Sequence, residues 1–97
     1  MLTEPQKKHL RGLAHALQPV VTLGGAGLTE AVVKELERAL RDHELVKVRA
    51  RAPDRERRDA WLAQLARRTH ATLVQRIGNV AVIYRADPAL PRIVLPD

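Results

Sequence analysis

Between Pro19 and Ala50 the sequence spells out a complete strand, loop, helix and strand, and no other stretch limits the possible folds as strongly. Val20-Val21-Thr22-Leu23 is a short apolar, β-branched run bounded by Pro19 and Gly24, which suits a buried strand better than a four-residue helix. After Gly24-Gly25-Ala26-Gly27-Leu28, Thr29 can cap a helix reaching about His43, with Val32, Val33, Leu36, Ala39 and Leu40 on one side. Glu30 and Lys34 stand one turn apart as a favourable ion pair. Leu45 to Ala50 then alternates at period two, as a strand with one covered face should, until Arg51-Ala52-Pro53-Asp54 breaks it. A helix joining two such strands predicts that they run parallel, with their C-terminal ends together.

The remaining chain supplies partners for this unit. Thr3-Glu4-Pro5-Gln6 reads as a capped helix start, and Leu10, Leu13, Ala14 and Leu17 recur at helical spacing until Gln18-Pro19 stops the run. Asp54 can cap a third helix to about Thr69, with Leu62, Leu65 and Ala66 inward and Trp61 anchoring its edge. Thr72 to Ile77 and Val80 to Arg85 are strand-like runs separated by Gly78-Asn79, a pair suited to the positive φ angles of a two-residue hairpin. Residues from about 86 to 97 hold Pro88, Pro91 and Pro96 and are expected to be extended, apart from a contact through Ile93-Val94-Leu95. The order α-β-α-β-α-β-β predicts one α/β domain over 1–97 with a mixed four-stranded sheet. With no cysteine in 97 residues and 45% hydrophobic residues, the domain must be held by packing alone.

The glycine segment is where the sequence first suggests chemistry. It lies between a strand and a helix, where unpaired amides and the positive end of the helix dipole can face an anion. It lacks the Gly-Lys-Ser/Thr ending of a Walker loop and the Gly-x-Gly-x-x-Gly spacing of a dinucleotide fold. Two readings remain open: a tight strand-to-helix turn, or a loop that clamps a single-stranded sugar-phosphate backbone, as in KH-type domains. The balance of 17 Lys+Arg against 11 Asp+Glu, net +6, favours a polyanion as partner.

Chain direction selects the charges expected at that loop. Arg49 and Arg51 end the second strand beside it, and Arg55, Arg57 and Arg58 open the third helix there. The first helix is expected to run back antiparallel to the first strand through the short Gln18-Pro19 link, bringing Lys7, Lys8 and Arg11 to the same end, whereas Arg41, Arg67 and Arg68 belong to the opposite one. The candidate RNA contacts are therefore Gly24, Gly25, Ala26, Gly27, Thr29, Lys7, Lys8, Arg11, Arg49, Arg51 and Arg55. Gly27→Asp is expected to weaken binding without unfolding the domain.

Trp61 and Tyr84, the only aromatic residues, read as packing residues, which argues against an exposed stacking platform. His9, His15, His43 and His70 are scattered, and no carboxylate or histidine pair has the spacing of a catalytic or metal site. No catalysis, cofactor, metal or small-molecule substrate is expected. An apolar run of roughly 20 residues, enough to span a membrane, is absent, as is the apolar stretch of a signal peptide, so no membrane partner and a cytoplasmic address are expected.

Pro19-Val20-Val21-Thr22-Leu23-Gly24-Gly25-Ala26-Gly27-Leu28-Thr29-Glu30-Ala31-Val32, with His43-Glu44-Leu45-Val46-Lys47-Val48, closely resembles the YhbY-type proteins, single-domain members of the CRM (chloroplast RNA splicing and ribosome maturation) family. The likeness extends through Leu10 to His15, Leu73 to Gly78 and Val82 to Arg85. The resemblance implies a fold related to the C-terminal domain of translation initiation factor three. It further implies RNA binding through the glycine (GxxG) loop and adjacent basic surface, without catalysis, and association with ribosomal RNA in large-subunit precursors during ribosome biogenesis. The family's usual loop is Gly-Lys-Asn-Gly, and Gly24-Gly25-Ala26-Gly27 lacks its two central polar residues, which shifts the expected grip toward backbone amides and Lys7, Lys8, Arg11, Arg49 and Arg51. A permanent structural component of a ribonucleoprotein and an RNA-processing enzyme are the alternatives.

Overall fold

A computed structural model describes residues 2–97 as α1 (Glu4–Ala14), β1 (Pro19–Leu23), α2 (Glu30–His43), β2 (Leu45–Ala50), α3 (Arg55–Arg68), β3 (Thr72–Ile77) and β4 (Val80–Tyr84). The fold is α/β with a mixed four-stranded sheet in the order β1-β2-β4-β3, in which only β1 and β2 are parallel. Helix starts follow local chemistry. Thr3 and Gln6 form a reciprocal capping box, Thr29 Oγ1 accepts the Val32 N–H at 3.2 Å, and Asp54 Oδ1 accepts the Arg57 N–H at 2.8 Å.

The two sheet faces are covered unequally. One carries Val21, Leu23, Val48 and Ile83 into a continuous core with Leu36 and Leu40 of α2 and Leu62 and Leu65 of α3. On the other, Leu10 and Ala14 of α1 pack on Leu45, Val74, Val82 and Tyr84, covering only the part of the sheet around the start of β2 and the end of β4. β1 is consequently an edge strand with one covered side rather than a buried strand. Val21 and Leu23 are buried, but Val20 and Thr22 are exposed because no element packs over them. Helix α1 ends at Ala14, before Gln18-Pro19, and Leu13 stays on its solvent side. In the β3–β4 turn only Gly78 has a positive φ, 58°, so the glycine occupies the first central position of a II′-like hairpin.

Glu44 organises the C-terminal segment. It is fully buried between α2 and β2 at φ 61°, and its carboxylate accepts the backbone N–H groups of Asp87 (2.7 Å), Arg92 (2.7 Å) and Ile93 (2.8 Å). The tail has no regular structure, as expected, and folds back on the domain through the expected contact at Ile93 and Leu95. Ile93 and Leu95 pack under α1, Val94 points outward, and Gln6 Nε2 donates to the Pro96 carbonyl at 3.0 Å. Burial pushes the Glu44 carboxyl upward, but the three amide donors and the Arg92 charge outweigh it and hold the group below the ordinary glutamate value. Burial and the Glu44 charge push the Tyr84 hydroxyl upward.

A depressed carboxyl contributes stability that is present above its unfolded value and lost as pH falls through its folded value. Glu44→Gln should lower stability by about 1.5–3 kcal/mol near neutral pH and flatten the acid limb of the stability curve. Urea titrations across pH check this, and an unchanged acid limb would show that Glu44 does not hold the tail in solution.

Candidate nucleic-acid interface

The strand-to-helix loop is a closed turn. The Gly27 N–H donates to the Gly24 carbonyl at 2.9 Å, which leaves Gly25 and Ala26 exposed at the tip. Among the described residues, the amides of Gly25 and Ala26 make no hydrogen bond within the chain, whereas those of Gly27 and Val32 are occupied by the turn and by the Thr29 cap. Thr29 therefore acts on its own helix, and the amides open to a ligand are fewer than the glycine count suggests.

Of the three loop glycines, only Gly27 is required for backbone reasons. Its φ is 74°, and a Cβ there would lie 2.8 Å from Cζ2 of Trp61. Gly24 and Gly25 have open space at the same position. Trp61 is thus the floor on which the turn rests, consistent with its placement in the main core. This corrects the expectation for Gly27→Asp, which would force a side chain against the indole in a left-handed conformation and so perturb the fold itself.

Parallel pairing delivers two arginines to the turn. The Arg51 N–H donates to the Leu23 carbonyl at 2.8 Å, immediately before Gly24, and Arg49 stands in register with Thr22. Both are exposed and, among the described residues, neither faces a carboxylate within ion-pair distance. Arg55 is likewise exposed and unpaired among the described residues, but Arg57 pairs with Asp54 (3.8 Å), and Arg58 with Asp59 (3.1 Å) and Asn79 (3.2 Å). Arg57 thus returns to the cap of its own helix, and Arg58 fastens α3 to the β3–β4 hairpin.

The cations of α1 separate along the helix. Arg11 and His15 border a cleft with Lys47 and Arg49. Lys7 pairs with Glu4 at 3.8 Å, and neither Lys7 nor Lys8 lines the cleft. The start of α1 is tied through Gln6 to the tail, whose anchor Glu44 precedes β2 at the end of the sheet remote from the glycine turn. The helix does not simply run antiparallel to β1, so the expectation that Lys7 and Lys8 join Arg11 at the loop gives way to a division between the two ends of α1.

Arg68 departs from its expected place in the opposite direction. It pairs with Glu30, the first residue of α2, so a cation from the end of α3 reaches the helix start beside the loop. Glu30 is consequently engaged across helices rather than with Lys34. The pair partly neutralises a carboxylate that would otherwise repel an anion at this edge.

The open part of the sheet supplies a surface the loop-centred reading overlooked. Thr22, Arg49, Val80 and Ile77 stand in one cross-strand row, with Lys47, Val82 and Gln75 in the next. Lys47 was accessible from the period of the strand, since residues two apart share a face and Arg49 was already singled out. Among the described residues no group of three or more histidines, cysteines or acidic residues could hold a metal, and no helix is long and apolar enough to cross a membrane.

The fold is thus an α/β domain whose strand-to-helix glycine turn lies beside Arg49 and Arg51, which have no carboxylate partner among the described residues. The chain matches the CRS1 / YhbY (CRM) domain over residues 2–85 and belongs to that family. It is 50% identical over 95 residues to an RNA-binding protein of Haemophilus influenzae, covering 94% of this chain and 96% of that one. It is 34% identical over 96 residues to YqeI of Bacillus subtilis, which carries the name of a probable RNA-binding protein, covering 99% and 100% of the two chains. The solution structure of SAV1595 from Staphylococcus aureus superposes with a TM-score of 0.84 at 35% identity, covering 99% of this chain and 100% of that one.

Gly27→Ala should cost about 2–4 kcal/mol through the positive φ and the indole contact, whereas Gly25→Ala should stay within about 0.5 kcal/mol of the parent. Paired denaturation midpoints read the difference. Equal midpoints would mean that the turn relaxes away from Trp61.

Proposed function

We propose that this protein binds ribosomal RNA in cytoplasmic precursors of the large ribosomal subunit, gripping unpaired RNA at the glycine turn and the basic edge beside it. The observation that carries the reading is the placement of exposed Arg49 and Arg51, unpaired among the described residues, next to the open tip amides of Gly25 and Ala26. Fixed amides and guanidinium groups together match the phosphate backbone without demanding a base sequence. The names of the relatives support RNA as the partner class. The ribosomal precursor is our narrower choice within that class, and the act is one of binding rather than catalysis.

Ala26→Glu places a carboxylate at the exposed tip, away from Trp61, and should weaken binding to a single-stranded RNA about tenfold, equivalent to about 1.4 kcal/mol, with the thermal midpoint preserved. The logarithm of affinity should fall with the logarithm of salt by about 0.7 per phosphate neutralised. A folded Ala26→Glu protein with parental affinity would remove the turn from the interface. In cell extracts the protein should sediment with immature large subunits and be absent from mature ribosomes, and stable residence in mature particles would favour a permanent structural role instead.

A further inference from the structure

We propose that the cleft between α1 and the open half of the sheet is a pocket for one unpaired nucleotide of the bound RNA, its base on an aliphatic floor and its phosphate toward a ring of cations. The inference deepens the RNA-binding reading and rests on it. The cleft has a volume of about 340 Å³, near the lower bound of small-ligand sites, which suits a single nucleotide.

Its chemistry is divided as a nucleotide requires. Ile77, Val80 and Val82 form an apolar floor, and Ile77 is 69% exposed at its rim, an unusual exposure for an isoleucine in the row that also holds Arg49. Arg11, Lys47 and Arg49 border that floor, none of them is paired with a carboxylate among the described residues, and no acidic residue lines the cleft. An anionic ligand with a flat apolar part satisfies both halves. The Gln75 amide and the His15 imidazole, also in the lining, can donate to and accept from a base edge.

The scaffold also explains why the base goes to this place. Single-stranded RNA is commonly held by stacking bases on aromatic rings or guanidinium planes. Here Trp61 supports the glycine turn and Tyr84 is buried beneath α1, so neither ring offers a platform. Within the cleft, Arg11 and Arg49 supply guanidinium planes beside the aliphatic side chains of the floor. Arg49 is in register with Thr22, two residues before Gly24, so a chain gripped at the turn continues directly onto this face.

The test is an abasic scan along a bound single-stranded RNA oligomer, read by fluorescence anisotropy with the parent protein and with Ile77→Asn. The pocket predicts one position where removing the base lowers affinity about tenfold. Ile77→Asn should weaken binding of the intact RNA about fivefold and leave binding of that one abasic RNA unchanged. A parent protein that binds RNA and responds to Ala26→Glu, yet shows no position more sensitive than its neighbours, overturns the pocket and leaves the RNA-binding reading standing. Equal loss by Ile77→Asn on both RNAs overturns it as well. Adenosine monophosphate binding as tightly as the oligomer would assign the cleft to a free nucleotide and overturn the RNA assignment, and failure of the parent to bind any RNA would remove both proposals together.

Discussion

Parallel pairing of β1 with β2 is the constraint that brings the glycine turn and two strand arginines to one edge. Because the crossover helix α2 returns the chain to the same starting end, Leu23 and Ala50 finish side by side, and the Arg51 amide closes the ladder on the Leu23 carbonyl at 2.8 Å. That one bond fixes Arg51 beside Gly24 and sets Arg49 level with Thr22. An antiparallel pairing of the same strands would send the two arginines to the far end of the sheet, leaving the glycine turn without adjacent strand cations.

The second organising element is the uneven cover of the sheet. Helix α1 and the folded-back tail occupy one part of a face, and Glu44 holds the tail there with three backbone amides. A buried carboxylate is costly unless its oxygens are satisfied, and here the donors come from a segment that lacks regular structure of its own. The rest of that face stays open, so Lys47 and Arg49 project into a cleft instead of being buried under a helix. Structural economy at one end thereby creates accessible basic surface at the other.

Several cations around α3 serve the scaffold. Arg58 and Arg76 converge on Asp59, Arg57 returns to its own helix cap, and Arg85 joins Glu37 to the end of α3 through the Thr69 carbonyl. Arg11, Lys47, Arg49 and Arg51 lack such partners among the described residues. In the proposed interface, these unneutralised charges, more than the net charge of +6, are what an anion would meet.

Local chemistry in the sequence determined the element order, the caps at Thr3, Thr29 and Asp54, the hairpin at Gly78-Asn79 and the parallel crossover, because each depends on residues within a few positions or on the twist of the chain. It also made Arg49 and Arg51 legible as neighbours of the turn. Only the tertiary structure decided that Gly27 must be glycine, since the reason is an indole 34 positions away, that Arg68 reaches Glu30, and that Lys7 and Lys8 part from Arg11. These facts depend on how α1 and α3 lie on the sheet, and helix placement is set by the sum of long-range packing contacts, which periodicity along one segment does not encode.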